Sequence, residues 1–94
     1  MDLTARPPAD PANTVRYSAS VRPGQDNQRH VLRKELTGPD GRPARWADTK
    51  VVAEGGQYSG ECILGENATA GTWTLTARDV LTGTAAPAEF QVTP

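Results

Sequence analysis

With a single cysteine, Cys62, the chain cannot close an internal disulfide. The lone histidine, His30, has no motif partner for acid–base or nucleophilic chemistry, which needs a nucleophile and a base within hydrogen-bond reach. Cys62 and His30 together fall short of the several Cys or His ligands of a structural zinc site. No Asp-rich loop matches an EF-hand, and Asp26-Asn27 or Glu66-Asn67 offers too few oxygens to specify a calcium site. No metal and no cofactor is therefore expected. No apolar run approaches the ~20 residues of a membrane-spanning helix. No charged start, apolar middle and cleavage site marks a signal peptide. Aromatics are scarce, at two Trp, two Tyr and one Phe, and none is interleaved with a Lys/Arg cluster, so no nucleic-acid partner is expected.

Glycine and proline are plentiful instead, nine and eight in 94 residues, which suits an all-β chain with frequent turns. The stretch 71–92 shows this best. Trp73, Leu75 and Ala77 alternate with Thr72, Thr74, Thr76 and Arg78, and a strand points successive side chains to opposite faces. After a short turn at 79–83, Ala86, Ala88, Phe90 and Val92 repeat the pattern on one face. Two antiparallel strands are predicted, with Trp73 and Phe90 buried on the same side. Pro87 lacks a backbone donor and places the second strand at an edge or a bulge.

Taken in order, residues 1–13 hold Pro7, Pro8 and Pro11 and are expected to form a partly disordered linker, with the sandwich domain spanning 14–94. Val15, Tyr17, Ala19 and Val21 alternate with polar residues and give a first strand, stopped by Arg22-Pro23-Gly24. Residues 29–37 give a second. Leu32 and Leu36 face inward there, Val31 faces outward, and Lys34 falls on the leucine face. Such a lysine either guards a sheet edge or snorkels at the sandwich margin. Gly38-Pro39-Asp40-Gly41 is a tight turn. Residues 44–53 are the least regular, with Trp46 and Val51-Val52 as apolar features. Residues 57–64 give a further strand carrying Tyr58, Cys62 and Leu64. No helical periodicity exceeds one turn. The expected fold is an all-β, immunoglobulin-like antiparallel sandwich of about seven strands.

Charge is unevenly spread. Residues 1–50 carry nine Lys/Arg against six Asp/Glu, and residues 51–94 carry one Arg against five acids. This suits either a basic patch for an anionic polymer or ordinary solvated strand faces. Cys62 shares a face with Tyr58, Gly60 and Leu64, which predicts a buried, inert thiol. His30 reads as solvent-facing or structural. Asn67-Ala68-Thr69 matches a glycosylation acceptor, a triplet common by chance. Trp46 is the residue with most binding potential, joined by Tyr17 and Tyr58, because exposed rings stack on sugars and anchor interfaces. The alternative is that Trp46 covers one end of the core.

The order of motifs carries a resemblance. His30-Val31-Leu32-Arg33 leads to Thr37-Gly38-Pro39-Asp40-Gly41, followed by Trp46, Gly71-Thr72-Trp73-Thr74-Leu75 and Asp79-Val80-Leu81-Thr82-Gly83. Over residues 29–92 this resembles the immunoglobulin-like accessory domains of large bacterial extracellular proteins. Some of those are appended to glycoside-hydrolase-like enzymes, and macroglobulin-type and fibronectin-III-like domains are similar. Lys34 departs from the apolar residue usual at its position. The resemblance implies a module that is not an enzyme and has no catalytic residues. It implies an extracellular or cell-envelope location and a role as spacer or docking partner for neighbouring domains of a larger protein. Polysaccharide binding around Trp46 is the alternative. No membrane insertion is expected, and the isolated domain is expected to be a monomer.

Overall fold

A computed structural model describes residues 2–21, 30–80 and 83–93. The expected turn at 22–24, the loop after it with Asp26-Asn27, Arg29 at the start of the second expected strand, and the tip of the 79–83 turn lie outside them. Among the described residues, seven strands form two antiparallel sheets. They are β1 (Asp2–Ala5), β2 (Thr14–Ser20), β3 (His30–Thr37), β4 (Thr49–Ala53), β5 (Gln57–Ile63), β6 (Gly71–Asp79) and β7 (Ala85–Val92). One sheet runs β1-β2-β5 and the other β4-β3-β6-β7. A 3-10 turn, Arg45–Ala47, precedes β4. No described helix is long and apolar enough to cross a membrane.

The two-residue rhythm builds the core. Val15, Tyr17 and Ala19 of β2 face Leu32 and Leu36 of β3 and Leu75 and Ala77 of β6, all buried. Trp73 and Phe90 stand directly opposite each other in the β6–β7 register and are both buried, Trp73 at 8% exposure. The indole is also fixed at its polar end, where Nε1 donates to the Thr69 carbonyl at 2.8 Å. This ties the loop before β6 to the main cluster of Val15, Tyr17, Leu36 and Phe90. A smaller cluster of Ala19, Leu32, Ala53 and Ala77 fills the other end. The turn after β6 closes when Gly83 donates to the Asp79 carbonyl and Asp79 to the Thr84 carbonyl, both 2.8 Å. Gly83 sits at φ 78°, a region that glycine enters at little cost. β7 is an edge strand, which accommodates Pro87.

Three stretches differ from expectation or resolve it. The Pro-rich lead-in is not a linker throughout. Asp2–Ala5 pairs with β2 from Asp2↔Ser20 to Ala5↔Tyr17, and Leu3 and Ala5 pack against the core. The segment after it is also tied down. Asp10 accepts from the Thr14 N–H and hydroxyl, both at 2.8 Å, and the Asn13 side chain donates to the Gly65 carbonyl. Four residues with two inward side chains are too short to give a readable period beside three prolines. The irregular stretch 44–53 becomes the 3-10 turn, with Ala47 buried in the main cluster, and the edge strand β4. Lys34 lies on a central strand, so edge protection does not apply to it. Its ammonium instead sits over the Tyr17 ring, 5.4 Å from the centroid.

Candidate functional site

Tyr17, Tyr58 and Trp46 do not form one site. Tyr17 is 7% exposed and belongs to the core, so its ring face is closed to a ligand. Tyr58 is half-buried, and its ring lies 6.1 Å from that of Tyr17, tilted by 35°. Gly60 makes this pairing feasible. A Cβ there would come within 2.8 Å of Tyr58 Cε1 and 2.9 Å of the Tyr17 hydroxyl. Glycine leaves a gap on β5 that the two rings cover. Lys34 and Cys62 complete the cluster. Burial pushes the Tyr17 phenol well above its usual value, with the neighbouring Tyr58 adding to the effect. Burial also raises the Cys62 thiol, and Lys34 partly opposes this. A protonated thiol is a poor nucleophile, and Cys62 packs within the main buried cluster.

Trp46 is exposed, at 61%, on the 3-10 turn beside β3 and β4. It does not cover the end of the core; its neighbour Ala47 does. The turn is held from the strand side. Arg33 on β3 grips Asp48 with Nε–Oδ1 at 2.9 Å and a second bond from Nη2 to Oδ2. This fork raises the Arg33 guanidinium and lowers the Asp48 carboxyl. Two parallel bonds fix the segment more tightly than a single contact would.

The outer face of the four-stranded sheet brings together residues that are far apart in sequence. Val31 pairs with Val52 across β3 and β4, and the Val80 N–H donates to the Val31 carbonyl at 3.0 Å. All three valines are exposed, at 36%, 49% and 48%. The next row holds Lys50, Arg33 and Arg78. Arg33 is held by Asp48, and Arg78 by Glu35 at 3.3 Å. Lys50 makes no ion pair among the described residues. Only Val31 is legible as outward-facing from sequence. Val52 lies in the irregular stretch and Val80 in a turn, so the row exists only once the register is known.

His30 is neither solvent-facing nor alone. It shares the inward face of β3 with Leu32, and its Nδ1 lies 3.0 Å from Oδ2 of the buried Asp79. Asp79 follows Trp73, Leu75 and Ala77 on the inward face of β6. Parity along both strands was the signal for this pair, hidden because Asp79 also reads as a turn residue. Among the described residues no hydroxyl or thiol hydrogen-bonds the other ring nitrogen of His30. The buried Asp79 carboxylate thus fixes the orientation of the His30 ring. No group of three or more His, Cys, Asp or Glu could hold a metal ion among the described residues, and Cys62 is a free thiol. No family model, no curated protein and no solved structure matches the chain.

Proposed function

We propose that the chain is a non-catalytic, immunoglobulin-like accessory module of a larger bacterial extracellular protein, and that it docks a neighbouring domain of the same polypeptide. The exposed row Val52–Val31–Val80 is the observation that carries this reading. Burying the remaining half of three valines contributes about 2–4 kcal/mol. That corresponds to no better than ~1 mM on its own. Such a patch cannot hold a free partner. It suffices for a domain tethered in the same chain, where a short linker supplies an effective concentration of roughly millimolar. Lys50, beside the row, favours a partner surface with a carboxylate at its rim. The motif order that resembles extracellular accessory domains supports the same role.

The test is methyl NMR with a soluble paramagnetic probe, on the isolated chain and on the natural polypeptide. The methyls of Val31, Val52 and Val80 are expected to lose most of their relaxation enhancement in the longer protein. Equal enhancement in both would remove the docking reading.

The exposure of Trp46 favours a second reading, a carbohydrate-binding module that stacks a sugar ring on the indole. Titration of neutral glycans against indole fluorescence, with Trp46→Phe as control, tests it. Silence across a glycan panel at millimolar concentrations ends it.

A further inference from the structure

The three-stranded sheet has its own outer face, remote in sequence from the valine row. Register places Thr4, Ser18 and Ser59 in one row across β1, β2 and β5, and Arg16 and Glu61 in the next. The Arg6 N–H donates to the Arg16 carbonyl at 2.9 Å, so the two arginines are neighbours. Together these residues line an open trough of about 460 Å³. A second depression, of about 390 Å³, continues from it and is again bordered by Arg6 and Arg16, with Asp10 and Thr14 beyond.

The chain leaves these two guanidiniums poorly satisfied. Arg16 Nε reaches Glu61 Oε2 only at 3.6 Å, and both groups are well exposed. Asp10 is engaged elsewhere, with one oxygen accepting from the Thr14 N–H and the other from its hydroxyl. Those bonds lower its pKa, the backbone bond most and the hydroxyl next. Arg6 has no ion pair among the described residues. Two like charges side by side cost free energy unless an anion bridges them. The hydroxyl row offers donors and acceptors of another kind, since Thr4 Oγ1 and Ser18 Oγ lie 3.3 Å apart and can each bond a further hydroxyl.

We propose that this trough binds an acidic saccharide, a chain of hexuronate units. The uronate carboxylate bridges Arg6 and Arg16, and the ring hydroxyls meet Thr4, Ser18 and Ser59. Alternate residues along a strand stand about 6.6–6.8 Å apart, comparable to the span of one hexuronate from its carboxylate to the hydroxyls across the ring. Glu61 accepts a sugar hydroxyl at the border. A neutral glycan leaves the arginines unbridged, and a bare anion leaves the hydroxyl row unused. The site is separate from Trp46, so it stands or falls independently of the stacking reading.

Trigalacturonate titrated into the intact chain at low salt tests the proposal, followed by NMR and calorimetry. Shifts are expected at residues 4, 6, 16, 18 and 59, and affinity is expected to fall as salt rises. Arg6→Gln and Arg16→Gln, both at exposed positions, are each expected to weaken binding about tenfold or more, since each removes a charge-assisted hydrogen bond. Fully methyl-esterified trigalacturonate is expected to bind at least about tenfold more weakly for the same reason. Trp46→Ala is expected to change nothing. Four outcomes would overturn the proposal: no shift in the millimolar range, indifference to both arginine substitutions, loss of binding only with Trp46→Ala, or inorganic sulfate binding as tightly as the trimer.

Discussion

At the scale of single residues, a few side chains hold far more of the structure than their neighbours. Trp73 packs against Phe90 and also donates to the Thr69 carbonyl. Trp73→Ala removes a buried ring and frees that carbonyl, so a loss of about 3–5 kcal/mol is expected in urea unfolding. An unchanged midpoint would contradict the core described here. Tyr17 and Cys62 predict how stability depends on pH. Burial raises both acids in the folded state, so the unfolded chain ionises first. Their contribution is fully present below the unfolded values, about 8.5 for a thiol and about 10 for a phenol, and is lost as pH rises beyond them. Urea midpoints should be flat from neutral pH to about 8.5, then fall, more steeply above about 10. Tyr17→Phe should flatten the steeper segment, and an unaltered alkaline slope would show that the phenol is not the cause. Residue identities also show where sequence reasoning stops. Trp73, Phe90, Leu32 and Leu36 are legible because each belongs to an alternating run. The Asp79–His30 pair is not, because a polar residue on an apolar face breaks the pattern that would reveal it.

At the scale of elements, legibility follows length and regularity. The β6–β7 hairpin has nine and eight residues of alternation, and its register brings Trp73 opposite Phe90 as their parity requires. β2, β3 and β5 are nearly as clear. β1 has four residues and β4 five, too few for a period to stand out from neighbouring turns. Both are edge strands, fixed by the partner they pair with more than by their own composition. The surfaces were harder still to foresee. The valine row joins β3, β4 and the turn after β6, the Arg6–Arg16 trough draws on three strands, and no local pattern encodes which strands become neighbours. A deletion tests whether β1 is part of the fold. Removing residues 1–5 strips Leu3 and Ala5 from the core and bares one edge of β2. A loss of about 1–3 kcal/mol is expected from the missing apolar burial, measured by urea unfolding. Wild-type stability in the shortened chain would mean that β1 is a passive lead-in.

At the scale of the molecule, the two sheets present different outer faces. One carries exposed valines beside a cationic row, and the other carries hydroxyls beside paired arginines. The two proposed roles therefore do not compete for the same surface, and one can be removed by substitution while the other is measured. Strand order has a mechanical consequence as well. Asp2 lies beside Ser20, next to the smaller cluster of Ala19 and Leu32, and Val92 lies beside Gly71, in the main cluster with Trp73. The first and last strands belong to different sheets. Tension applied between residues 2 and 93 would slide β1 along β2 and β7 along β6, straining many ladder bonds at once instead of unzipping them singly. Single-molecule pulling through those positions should therefore show one abrupt yield. Gradual lengthening at low load would mean that these terminal ladders bear no weight.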